Sequence, residues 1–207
     1  MNIALIGATG YVGSAILAEA LARGHAVTAI VRNPSKLPRH ERVKGVEANV
    51  NDTAGLAQLV AGHDVLISAF NPVRDADGAA SRSIIAAAQR SGIPRLLVVG
   101  GAGTLLLPSG ERVVDQPDFP AEWKEGALRT AAFLDLLQAE AGLDWVFLSP
   151  AALLAPGERT GRYRIGQDRL LVDADGASRI SLPDYALALL DEAERPQHHR
   201  MRFTVAY

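Results

Sequence analysis

An apolar strand that runs straight into three glycines and then into a helix leaves a chain few folds to choose from, and residues 1–13, MNIALIGATGYVG, form such a stretch. Residues Ile3 to Ile6 are too short and too apolar for an exposed element, and they read as a central buried strand. Gly7 permits a sharp turn, Gly10 lets backbone approach a pyrophosphate, and Gly13 lets the following helix pack closely on the strand. Thr9, Tyr11 and Val12 belong to the same loop and helix start. The helix then directs its unpaired N–H groups at the phosphates. The spacing is GxxGxxG, one residue longer between the first two glycines than GxGxxG, but the strand before it and the helix after it supply the context this motif requires. A dinucleotide site is the expectation. The phosphate-loop pattern GxxxxGK[ST] fails for want of a lysine.

Short apolar runs alternate with longer helical stretches from end to end, which predicts an α/β fold of the doubly wound Rossmann type, a mostly parallel sheet with helices on both faces. The first helix spans about Val12 to Arg23 and buries Ile16, Leu17 and Leu21, with Gly24 as its stop. Strands follow at Ala26 to Val31 and near Gly45 to Asn49, and Asp52 caps a short helix. Asp64 to Phe70 is a strand, about Asp77 to Arg90 a helix, and Arg95 to Val99 the fifth strand. Beyond the long loop Gly100 to Pro120, a helix from about Ala121 to Ala141 turns Leu128, Phe133, Leu134 and Leu137 inward, and Asp144 to Ser149 forms strand six. The irregular segment Pro150 to Gly166 precedes a short strand near Leu170 to Val172, a helix from Pro183 to about Glu194, and a last strand, Arg202 to Ala206. Residues 1–207 are expected to form one domain whose small C-terminal portion, about 150–207, lies on the substrate side.

The 207 residues carry a net charge near −2, so no basic footprint for nucleic acid and no membrane-seeking charge block is present, and a small neutral partner is the expectation. Absence of cysteine removes disulfides, thiolate nucleophiles and cysteine-held metals, so redox chemistry must come from a bound cofactor. The chain begins as a strand rather than as a leader, and a cytoplasmic location is expected. His25, His40 and His63 stand beside turns without a second ligand at metal spacing, and His198 and His199 lie in a polar tail. All five are expected on the solvated surface, and no metal is expected.

An NAD enzyme places a carboxylate about 20 residues beyond the glycine loop for the ribose 2′-hydroxyl. Here Arg32 stands there, a permanent cation with a planar donor fork suited to a 2′-phosphate, so NADP(H) is favoured over NAD(H), with NAD(H) still possible. Asn33, Ser35 and Lys36 can add donors. Ligands of open α/β sheets lie beyond the carboxyl ends of the strands, which singles out Ser68, Ala69 and Phe70, then Gly100 and Gly101, then Ser149 and Pro150.

GATGYVG and VRNPSK, together with SPAALLAPGERTG at 149–161 and RISLPDYALALLDE at 179–192, resemble the atypical short-chain dehydrogenase/reductases. Within these the chain is similar to the NAD(P)H-flavin reductase-like group, which includes flavin/biliverdin-IXβ reductases and nitrogen-metabolite-repression-regulator-like proteins. The resemblance implies that the residue after strand three contacts adenine, usually from Gly-Asp-Val. In this chain that segment is Ala48-Asn49-Val50, and the Asn49 amide can still pair with the adenine edge, with Val50 beside it.

Most short-chain dehydrogenases use a Tyr-x-x-x-Lys pair and a serine after strand five. This chain has neither: Gly101 stands about where the serine would be, and none of its four tyrosines is followed by a lysine at that spacing. Ordinary alcohol dehydrogenation and sugar epimerisation each need a positioned proton acceptor, so they are disfavoured. A flavin or quinone accepts hydride without an obligatory protein acid, and positioning against the nicotinamide can suffice. Phe70, Leu105, Leu106, Leu107 and Trp123 are candidates to stack such an acceptor, although plain core explains the same residues. Arg162 and Tyr163 are candidates for its polar edge, with Tyr163 as the one candidate acid. The expected activity is therefore NAD(P)H-dependent reduction of a flavin, quinone or similar aromatic acceptor, the flavin acting as substrate and not as a tightly held group. The alternatives are a non-catalytic NAD(P)-binding sensor and a carbonyl reductase using Tyr163.

Overall fold

The computed structural model describes residues 1–207. The first strand, β1 (Asn2–Ile6), is buried on both faces, as its unbroken apolar run requires. It is followed by α1 (Tyr11–Ala22), β2 (Ala26–Val31), β3 (Val43–Glu47), α2 (Thr53–Val60), β4 (Val65–Ser68), α3 (Ala79–Ser91) and β5 (Leu96–Val99). The second half contains α4 (Ala121–Gln138), β6 (Trp145–Ser149), β7 (Leu153–Ala155), β8 (Arg164–Gly166), β9 (Arg179–Ser181), α5 (Leu182–Glu194) and β10 (Met201–Ala206). Eight strands form one sheet in the order β3-β2-β1-β4-β5-β6-β10-β8, parallel throughout except for β8 against β10. This is the Rossmann-type α/β architecture expected from the sequence.

Alternation along the strands divides the core. Ile3 and Leu5 of β1 face α1 and α5, whereas Ala4 and Ile6 face α2, α3 and α4. Sheet order reverses at β1, which pairs with β2 on one side and β4 on the other, and the crevice above its carboxyl end is where such sheets bind ligands. The local stops are those the residues demand. Gly24 (φ +80°) and Gly92 (φ +67°) adopt the left-handed conformation after their helices, and the Asp52 side chain accepts from the Gly55 N–H at 3.0 Å.

Three expectations are corrected. No strand forms at 170–172. Instead β8 pairs antiparallel with β10, and β9 pairs with β7 in a small second sheet. Strands of three residues are too short to show a period, so only their pairing reveals them. Leu128 is 41 % exposed, because the first half of α4 borders a cleft and only its second half reaches the core. His25 is buried, its Nε2 2.7 Å from Glu194 Oε1, and His198 stacks on Phe203 at 4.0 Å. Both therefore serve packing, not the solvated surface.

Candidate functional site

A cleft of about 620 Å³ opens above the carboxyl ends of β1, β2 and β4. Its floor is the glycine loop. Gly7 has φ +78°, and a Cβ there would stand 2.6 Å from the Ala69 carbonyl oxygen; one on Gly13 would stand 2.0 Å from the Gly7 oxygen. The first turn of α1 is thus seated directly on the loop. No side chain caps this helix, and the N–H groups of Tyr11, Val12 and Gly13 find no acceptor in the protein. Such a bare helix start beside close-packed glycine backbone fits a pyrophosphate.

The walls supply charge. Arg32, Lys36 and Arg74 all line the cleft, no carboxylate does, and none of the three cations has an ion-pair partner. Lys36 is carried by a tight turn, Pro34–Lys36, in which the Asn33 oxygen accepts from the Ser35 N–H at 3.0 Å. Asn33 itself does not line the cleft, because its side chain is turned into that cap. Arg74 arrives in the same way. The turn Pro72–Arg74 is capped by Asn71, which accepts from the Val73 N–H at 3.0 Å. Arg74 was not anticipated, yet the repeated pattern Asn-Pro-X-cation, at 33–36 and again at 71–74, is a signal that could have found it.

Of the other residues expected at the nucleotide, Gly7, Thr9, Gly10, Asn49, Val50, Ala69 and Phe70 line this cleft. Asn49 uses its oxygen on the Asn51 N–H at 3.0 Å, which leaves its NH₂ to donate. Tyr11 is 58 % exposed at the rim, and Val12 packs on the core beneath. Ser68, Ser149 and Pro150 are buried and do not line it. The Ser149 hydroxyl lies 3.1 Å from Thr104 Oγ1, which ties the loop after β5 to β6. Gly100 admits no side chain because a Cβ would meet the Phe147 ring at 2.3 Å.

A second cleft of about 680 Å³ adjoins the first, and Asn71 and Val73 belong to both. Gly101, Leu107, Phe119 and Trp123 are among its lining residues, and Trp123 is 64 % exposed there. Leu105 does not reach it, being wholly buried beneath the turn at Ala102–Thr104, and neither does Leu106. Phe70 lines the first cleft. No tyrosine, lysine, histidine or arginine lines the second cleft.

Tyr163 and Arg162 are absent from both clefts. The segment carrying them is held elsewhere, by Arg159 on Glu19 of α1 (2.8 and 2.9 Å) and by Asp184 of α5, which accepts from the Thr160 N–H (3.1 Å), the Thr160 hydroxyl (2.6 Å) and the Gly161 N–H (2.9 Å). Tyr163 donates to Asp191 Oδ2 at 2.7 Å, and burial, then that carboxylate, pushes its phenol well above the usual range. A phenol so placed is a poor proton source for either cleft.

The family model for NAD(P)H-binding proteins matches residues 7–193. An uncharacterised protein, YwnB of Bacillus subtilis, is 42 % identical and aligns over 99 % of this chain and 98 % of its own. Among solved structures, a protein of Bacteroides thetaiotaomicron provisionally named an epimerase superposes with a TM-score of 0.95 at 45 % identity, covering 100 % of this chain and 96 % of the other. A protein of Streptococcus pneumoniae provisionally named an NADH-flavin reductase superposes at 0.86 with 36 % identity, covering 100 % and 99 %. By the family match and by these whole-length likenesses, the chain belongs to the NAD(P)H-binding family, and its likeness to the pneumococcal protein agrees with the flavin reductase-like resemblance read from the sequence.

Proposed function

We propose that the protein is a cytoplasmic NADPH-favouring reductase that delivers hydride to a small aromatic acceptor, a flavin or quinone, held in the second cleft. The observation that carries this reading is the junction at Asn71 and Val73, where a cation-walled cleft opens onto a second cleft that has an exposed indole and no proton donor of the tyrosine-lysine kind. The α1 N–H groups and the glycine loop would hold the pyrophosphate, Asn49 the adenine edge, and Arg32 with Lys36 and Arg74 the 2′-phosphate end. When bound, the reduced nicotinamide supplies the hydride. Gly101, in place of a serine, leaves room for a flat ring, and Trp123 offers it an aromatic face. Approach and orientation are then the protein's main contribution, and solvent can supply the proton.

The experiment is steady-state oxidation of NADPH and NADH with riboflavin, FMN and a panel of quinones against protein-free controls. Turnover favouring NADPH is expected. Tight NADPH binding with no turnover of any acceptor would instead mark a sensor. Arg32→Ala should weaken NADPH binding by roughly 10- to 100-fold, the worth of a charge-assisted hydrogen bond of about 1.5–3 kcal/mol, and leave NADH within about twofold. Equal losses for the two cofactors would remove Arg32 from 2′-phosphate recognition. Tyr163→Phe should retain full turnover, since its hydroxyl faces Asp191. A fall in kcat of about 100-fold, the loss typical of a missing general acid, would restore the carbonyl reductase reading.

A further inference from the structure

The two adjoining clefts carry opposite charge. Arg32, Lys36 and Arg74 line the nucleotide cleft without a carboxylate, whereas Asp118, Glu122 and Glu125 line the second without a cation. Glu125 is balanced by an ion pair with Arg129, but Asp118 and Glu122 are exposed and have neither an ion-pair nor a hydrogen-bond partner. The neighbouring cations do not compensate them. Arg112 pairs with Asp115 at 2.6 Å, and Lys124 is not among the residues that line the cleft.

Resting on the reductase reading above, we propose that the second cleft selects uncharged or cationic aromatic acceptors and turns phosphorylated ones away. A phosphate brought beside two unpaired carboxylates at a half-open surface meets Coulombic repulsion that water only partly screens, on the order of a tenfold loss of affinity. An uncharged ring meets no such opposition, and a cationic one gains both from the carboxylates and from the exposed face of Trp123. The same field keeps the cofactor's own phosphates in the cation-walled cleft, so that its nicotinamide end is the one that reaches the acceptor.

Riboflavin and FMN share one ring system and differ by a phosphate, so they isolate the effect. Flavin fluorescence quenching on the protein loaded with NADP⁺, which cannot turn over, should show riboflavin binding about tenfold tighter than FMN at low ionic strength. The ratio should fall to about two in roughly 0.5 M salt. The double variant Asp118→Asn, Glu122→Gln should bring it to about two at low salt. FMN binding as tightly as riboflavin, or a ratio that neither salt nor the double variant moves, would overturn the proposal, as would failure of both flavins to bind. Oxidation of NADPH, followed separately, distinguishes the two readings. Charge-selective binding without turnover supports the selection and sinks the reductase, and equal kcat/KM for both flavins does the reverse.

Discussion

Gly13→Ala is expected to raise the dissociation constants of both NADPH and NADH by about 100-fold or more and to destabilise the fold as well. The new methyl would stand 2.0 Å from the Gly7 oxygen, 2.8 Å from the Gly7 carbonyl carbon and 3.2 Å from Ala8 Cα, all of them backbone atoms that cannot rotate away. The start of α1 must therefore lift off the loop, and close-packed interiors transmit such shifts instead of absorbing them. Overpacking of this kind costs about 1–3 kcal/mol, and a displacement near 1 Å at a binding centre can cost about a hundredfold in function. Gly176→Ala is the control. Its glycine has φ +78° with nothing within 4 Å of an added Cβ, so it should pay only the strain of a left-handed alanine and bind cofactor normally. Calorimetric titration and thermal melts of both variants make the comparison. Near-normal cofactor affinity in Gly13→Ala would mean that the helix does not sit on the glycine loop as described.

Glu192→Ala should lower unfolding free energy by about 3–5 kcal/mol while leaving cofactor affinity intact. Glu192 and Arg95 are both buried, paired at 2.7 Å, and Glu192 also accepts from the Gln197 N–H (3.1 Å), the His198 N–H (3.0 Å) and, through Oε2, His198 Nδ1 (2.7 Å). Removing the carboxylate takes away the buried partner of the Arg95 guanidinium and leaves the part-exposed Asp144, at 3.2 Å, as its remaining anion. The cluster joins the residue before β5 to the last turn of α5 and the segment after it, at the amino ends of the strands, so the whole depth of the sheet separates it from the clefts. Urea unfolding should show a lower midpoint with an unchanged slope. The pair also fixes an acid limb. Burial opposes ionisation of Glu192, but the hydrogen bonds from His198 and Arg95 outweigh it and hold its carboxyl below the usual 4.5. Hydrogen bonds from Thr160 and Tyr207 likewise outweigh burial at Asp184 and hold it below 3.8. The folded chain thus binds fewer protons than the unfolded one in this range, so stability is fully present above about pH 4.5 and falls as pH drops through the lowered values. Glu192→Ala should flatten that limb. An unchanged midpoint, or an acid limb as steep as before, would remove the cluster from the stability of the fold.

The nucleotide half of the site was legible because its determinants are local. A buried strand, a left-handed glycine and a helix start occupy adjacent residues, and each residue type there has few conformations to choose among. Helix stops at Gly24 and Gly92 and the Asp52 cap were legible for the same reason. Leu105 and Tyr163 misled because the path of a loop and a distant carboxylate, not their own neighbours' pattern, dispose their side chains. Leu105 is covered by the fold of its own loop, and Tyr163 is captured by Asp191, 28 residues later.

Glycine spacing and alternating hydrophobicity by themselves determine a Rossmann sheet and a close-packed glycine loop under a helix start, and the sequence by itself shows that the tyrosine-lysine pair is missing, since each is a property of neighbouring residues or of composition. The meeting of the two clefts was decided only by the tertiary structure. β4 pairs with β1, and this sets the turn Pro72–Arg74 beside the glycine loop, while Arg129 of α4 donates to the Val73 carbonyl and draws the opposite wall against the same turn. The contrast of charge across Asn71 and Val73 joins residues 32, 36 and 74 to residues 118, 122 and 125, and no local rule relates such distant positions until strand order brings them together.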